Sequence, residues 1–148
     1  VNPSAPNNQM VGVFNLELLR LYSYLYQDSD KNYSIVHDLG GYDEISLTNS
    51  VKIVSNKSEV LFSAEDLGLK NNTQEAIFGG NTVSEASKIF KTIIGGQGTE
   101  AQNNVVCANA GLAIATAKQL THIEGYELAK EALISGKANK CLTKLIAL

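Results

Sequence analysis

Asp43 and Glu44 are neighbouring carboxylates with no lysine or arginine close to them in the chain. Side by side and without a cation they repel each other unless solvent or a metal ion intervenes. They belong to the stretch His37-Asp38-Leu39-Gly40-Gly41-Tyr42-Asp43-Glu44-Ile45-Ser46, which follows the strand-like run Tyr33 to His37 and contains two glycines that permit a tight backbone path. In open α/β sheets, ligands bind at the carboxyl ends of the strands, which is where such a loop would lie. Mg²⁺ is commonly held by one or two carboxylates together with substrate phosphates. The pair therefore suits a Mg²⁺–diphosphate site with Asp43 and Glu44 as the metal ligands. The competing reading is a solvated acidic loop, and because acidic pairs on loops are common, the residues by themselves favour it.

Other chemistry finds little support. His37, His122, Cys107 and Cys141 show no metal-ligand spacing of the CxxC or HExxH kind. His122 falls inside a helix-capping pattern and is most simply a surface residue. Both cysteines sit in apolar helical patterns, which reads as buried thiols in a reducing compartment. No GxSxG occurs, and Gly95-Gly96-Gln97-Gly98 lacks the Lys-Ser/Thr of a phosphate loop, so it reads as a helix stop. No catalytic nucleophile and no substrate contact is assigned within the chain. Twelve Lys+Arg against 15 Asp+Glu give a net charge of -3, which leaves no basic field to hold nucleic acid. Arg20 is the one arginine, so bidentate anion clamps are scarce. No apolar run reaches the length of a membrane span.

The elements that must position this loop follow from periodicity and punctuation. A total of 148 residues, 44% hydrophobic, suffices for one domain with a real core. Met10 to Phe14 suits a buried strand, Asn15 caps a helix running to about Tyr26, and Tyr33 to His37 is the next strand, together a βαβ unit. After Gly40-Gly41 the extended pattern resumes at Ile45 to Thr48. Val51 to Val54 and Glu59 to Phe62 flank a polar link and read as a hairpin. The second half is helical. Thr82 with Glu85, and Thr121 with Glu124, make capping-box patterns; Gly95-Gly96 and Gly136 are stops. A helix from about Thr99 to Lys118 carries small residues on several faces, as a closely packed central helix would. Ala138, Cys141, Leu142, Leu145 and Ile146 give the stripe of a last helix. The expectation is a single α/β domain over 1–148, a sheet with flanking helices, its strands mainly in 10–62 and its helices mainly in 82–148.

Asn2-Pro3, Pro6, Gln9 and Gly12-Val13, and further on Val36-His37 with Gly41-Tyr42-Asp43-Glu44-Ile45-Ser46-Leu47-Thr48, resemble the NP-x-x-P-x-x-Q-x-x-GV segment and the VHG…G-x-DEIS-L-T signature of the anthranilate phosphoribosyltransferase family. Glu65-Asp66-Leu67-Gly68-Leu69 resembles its P-E-D-F-G-L element, and Gly79-Gly80 and Asn109-Ala110 fall where the family has a GG and an NA pair. Asp38 and Gly40 stand where the family has Gly and Asp.

The resemblance implies the C-terminal domain of the nucleoside phosphorylase/phosphoribosyltransferase fold. It implies a glycosyltransferase of tryptophan biosynthesis in the cytoplasm, moving phosphoribosyl from phosphoribosyl diphosphate to anthranilate with Mg²⁺ held by Asp43 and Glu44. His37 would be either an organiser of the same loop or an ordinary strand-end residue. The family places its diphosphate loop and anthranilate-contacting arginine upstream of the NP element. The expectation is therefore that this chain is the carboxyl-terminal portion of such an enzyme, inactive alone, with a homodimer formed by the full-length protein. Two alternatives stay open: a non-catalytic binding or assembly module that retains the fold, and a related transferase with another aromatic acceptor.

Overall fold

The computed structural model describes residues 4–148; Asn2-Pro3, the start of the NP segment, lies outside the described residues. A four-stranded sheet has the order β1 (Asn8–Gly12), β2 (Asn32–Asp38), β3 (Val51–Ser55), β4 (Glu59–Phe62). β1 and β2 are parallel, joined through α1 (Leu16–Tyr26); β2, β3 and β4 run antiparallel. Alternation along β2 decides the layers. Tyr33 and Ile35 join Val13, Leu19, Tyr26 and Val54 on the α1 side, whereas Val36 joins Ile53, Phe62, Ala108, Leu112 and Tyr126 on the other. Successive strand residues point to opposite faces, so β2, covered on both, is buried from Tyr33 to Asp38.

The second face is covered by α3 (Glu100–Lys118), which packs on β1, β2 and α4 (His122–Ile134). The small residues of α3 are what allow this. A Cβ built on Gly111 would come within 2.6 Å of the Tyr126 backbone, and one on Gly125 would run into the Gly111 carbonyl. Gly111→Ala is therefore expected to destabilise the protein by about 2 kcal/mol through overpacking of two helix backbones. A urea titration checks this, and an unchanged midpoint would contradict it.

Local punctuation is seen in hydrogen bonds. Asn15 Oδ1 accepts the Leu18 N–H at 2.8 Å and caps α1. Thr121 and Glu124 bond reciprocally, a complete capping box. The Thr82 pattern is only half closed: Thr82 accepts the Glu85 N–H, but the Glu85 carboxylate takes the N–H of Asn81 instead.

Five expectations need correction. Ile45 to Thr48 is not a strand, because Ile45 bonds to a helix side chain and Leu47 takes a left-handed φ of 58°. His122 is not simply a surface residue: its ring lies edge-on to Phe62 at 5.4 Å, and burial lowers its pKa, opposed by the nearby Asp66. Cys107 is buried, but Cys141 is exposed. The buried strand expected at Met10 to Phe14 is β1 at Asn8–Gly12, with no residue fully buried, and Phe14 is exposed. Finally, the helices α2 (Val83–Ile94) and α5 (Lys137–Ile146) contain no buried residue. Phe90, Leu145 and Ile146 are at least half exposed, since amphipathic spacing sets which residues share a face and not what covers it. No helix among the described residues is long and apolar enough to cross a membrane.

Candidate functional site

The loop 39–50 leaves the carboxyl end of β2 beside the carboxyl end of β1, at the edge where the sequence placed it. Its organising group is Asp38. This carboxylate is fully buried at the last position of β2. Its Oδ1 accepts the Gly40 N–H at 2.7 Å, and its Oδ2 accepts both the N–H (3.2 Å) and the hydroxyl of Ser46. The Asp38 N–H also donates to the Tyr42 carbonyl, so one residue holds the loop at Gly40, Tyr42 and Ser46, while the Leu39 N–H closes it on the Ser50 carbonyl. Gly41, with φ of 96°, supplies the left-handed step that a side chain would strain.

Two further contacts hold the segment that carries the carboxylates. The Asp43 carbonyl presses on Gly12 at the end of β1, where no Cβ could fit. On the far side, Asn109 of α3 grips Ile45 through both of its backbone groups: Oδ1 accepts the Ile45 N–H at 2.9 Å, and Nδ2 donates to the Ile45 carbonyl at 2.8 Å. The Ile45 side chain, 1% exposed, is sunk in the core. Buried Leu47 keeps its left-handed backbone because the packing around it leaves no alternative.

Asp43 and Glu44 thus sit on a rigid loop with both side chains exposed. The ion pairs among the described residues, Lys52–Glu59 and Lys137–Glu131, involve neither of them. His37 has a different place. Its buried ring donates from Nδ1 to the Val13 carbonyl at 3.0 Å, which ties β2 to the exit of β1 rather than to the loop.

Residues 1–139 match the glycosyl transferase family, a/b domain. The chain belongs to that family. It is 59% identical over 145 residues to the anthranilate phosphoribosyltransferase of Flavobacterium psychrophilum, and 46% identical over 149 residues to that of Bacteroides thetaiotaomicron. These alignments take in 98% and 100% of this chain but only 44% and 45% of the relatives, so the chain spans less than half of their length. Among solved structures, the anthranilate phosphoribosyltransferase of Thermus thermophilus superposes with a TM-score of 0.81 at 28% identity, over 92% of this chain and 41% of that one. The Saccharomyces cerevisiae enzyme in complex with PRPP and Mg shares the fold, with a TM-score of 0.78 at 19% identity, over 95% of this chain and 40% of that one.

Within this glycosyl transferase a/b domain the donor set can be tested for Mg²⁺. No group of three or more His, Cys, Asp or Glu side chains among the described residues could enclose a metal ion. Two hard, exposed carboxylates without a cationic partner instead suit an ion that takes its remaining ligands from water and phosphate. The residues fit Mg²⁺ on those terms. The roles of Asp38 and Asn109 were not legible as such. Asp38 looked like a departure from the family pattern, and Asn109-Ala110 was a short pair without local context. The signal available for Asp38 is a carboxylate at a strand end two residues before a glycine, the spacing at which Asp bonds a backbone N–H just ahead of it.

Proposed function

We propose that this chain provides the metal half of an anthranilate phosphoribosyltransferase site, in which Asp43 and Glu44 hold Mg²⁺ against the diphosphate of phosphoribosyl diphosphate. The observation that carries this reading is the unpaired carboxylate pair, exposed on a loop that is otherwise tightly anchored at the carboxyl end of β1 and β2. The names and bound ligands of the related enzymes supply the substrates. The reading carries with it a homodimeric, cytoplasmic enzyme of tryptophan biosynthesis, supported by the family resemblance.

In the proposed reaction the anthranilate nitrogen forms a bond to the anomeric carbon of the ribose. The carbon–oxygen bond to diphosphate breaks, diphosphate leaves with the electron pair, and the nitrogen gives up a proton. Mg²⁺, when bound, neutralises charge on the leaving diphosphate. No covalent nucleophile is needed; the work is positioning and charge compensation. Asp43 and Glu44 orient the leaving group, and Asp38, Gly12 and Asn109 keep their loop from yielding.

Asp43→Asn and Glu44→Gln, each made in the whole protein, are expected to raise the Mg²⁺ concentration for half-maximal turnover by about tenfold while the unfolding midpoint stays put. Steady-state kinetics over a Mg²⁺ series checks this. Ordinary Mg²⁺ dependence in both variants would overturn the assignment and favour a domain that keeps the fold without the site.

A further inference from the structure

The carboxamide of Asn109 spends all of its hydrogen-bonding groups on one task. Both of its N–H bonds and its oxygen are engaged: with the Ile45 carbonyl at 2.8 Å, the Val105 carbonyl at 3.0 Å and the Ile45 N–H at 2.9 Å. The bond to Val105, one turn earlier on α3, fixes the plane and the sense of the amide. A flipped amide would set oxygen against carbonyl oxygen and N–H against N–H, so only one orientation works. Ile45, which lies outside every strand, is thereby given the pair of backbone bonds that a strand neighbour would supply.

The location of that grip matters. The Ile45 N–H belongs to the peptide unit that begins at Glu44, so Asn109 sets the plane from which the Glu44 side chain departs. The other anchors act on either side of it: Gly12 meets the Asp43 carbonyl, and Asp38 takes the Ser46 N–H and hydroxyl. No other hydrogen bond among the described residues reaches the Glu44–Ile45 peptide. We propose that Asn109 is a positioning residue for the metal–diphosphate site, transmitting the location of α3 to Glu44 and, through it, to the carboxylate pair. This inference rests on the reading of Asp43 and Glu44 as metal ligands. Aspartate at position 109 retains the acceptor for the Ile45 N–H but loses both donations. Glutamine reaches one methylene too far for the same geometry.

The test uses the whole protein and preformed Mn²⁺–diphosphate, with binding followed by water-proton relaxation so that no turnover is required. Asn109→Asp and Asn109→Ala are expected to weaken binding about tenfold, as loss of an outer-shell support does. Thr116→Val is the control for general loosening of α3. It deletes the buried bond between Thr116 of the same helix and Ser34 of β2, and is expected to lower the unfolding midpoint without altering Mn²⁺–diphosphate binding. Wild-type binding by both Asn109 variants would overturn the inference, as would equal weakening by Thr116→Val. Asp43→Asn, measured alongside, separates the two levels of the argument. If it weakens binding while the Asn109 variants do not, only the positioning role falls. If it too binds normally, the metal reading falls with it. Asn109→Asp, nearly isosteric, carries the test should the alanine variant fail to fold.

Discussion

Gly12→Ala is expected to lower Mg²⁺-dependent phosphoribosyl transfer by the whole protein about 100-fold, the size of effect that a displacement of about 1 Å in catalytic geometry produces. The added Cβ would overlap the Asp43 carbonyl, so either the strand or the loop must move. The strand is the stiffer of the two. Gly12 is paired with Val36 in the parallel ladder, the next residue donates its N–H to the Val36 carbonyl at 2.9 Å, and the Val13 carbonyl receives the His37 ring. Asp43 is exposed, and its carbonyl lies against the glycine. The loop therefore gives way, and it takes both carboxylates with it, whereas removing one carboxylate leaves the other in place. Turnover and urea denaturation are measured on the same preparation. The expected pattern is a large loss of activity with a small change in stability. Activity close to wild type would show that the placement of Asp43 is unimportant, and a matching collapse of stability would place the effect in the core instead.

Asp38→Ala is expected to have the largest effect on stability, a loss on the order of 3 kcal/mol. A buried carboxylate without a cationic partner is ordinarily costly, but here it accepts two N–H groups and a hydroxyl. Deleting it strands those donors unequally. Gly40 is exposed, so its N–H can turn to water at little cost. Ser46 is 2% exposed; its N–H would lose its partner away from water, whereas its hydroxyl can turn to Thr48 Oγ1 at 2.7 Å. Asp38→Asn retains one oxygen in nearly the same shape and is expected to cost about 1 kcal/mol, because its amide group now faces other donors. Equilibrium unfolding in urea gives both values. A loss below about 1 kcal/mol for the alanine variant would show that the loop relaxes and re-satisfies Ser46 by itself.

Comparing the two variants also separates two jobs within one loop. Asp38 sets whether residues 39–50 are ordered at all; Gly12 sets where the ordered loop lies. The hydrogen bonds of this segment go to the neighbours of the acidic pair: Tyr42, Ile45 and Ser46 are all bonded, while the Asp43 and Glu44 carboxylates between them take part in no ion pair among the described residues.

Much of this was legible from residue order alone, because the interactions concerned close over a few positions. The Asn15 cap acts over three residues, as do the reciprocal bonds of Thr121 and Glu124, and the alternation that buries β2 on two faces is a property of the strand itself. The acidic pair at a strand end was visible for the same reason. What tertiary structure decided was every contact whose partners are distant in the chain. Asn109 and Ile45 are 64 residues apart, and their bonds exist only because α3 packs on β1 and β2. Gly12 reads as an ordinary strand terminus until the Asp43 carbonyl is seen against it, and His37 points to Val13 because parallel pairing brings that carbonyl near. The stripe of α5 makes the converse point: helical periodicity determines which side chains share a face, but coverage of that face depends on a partner surface that no local pattern specifies.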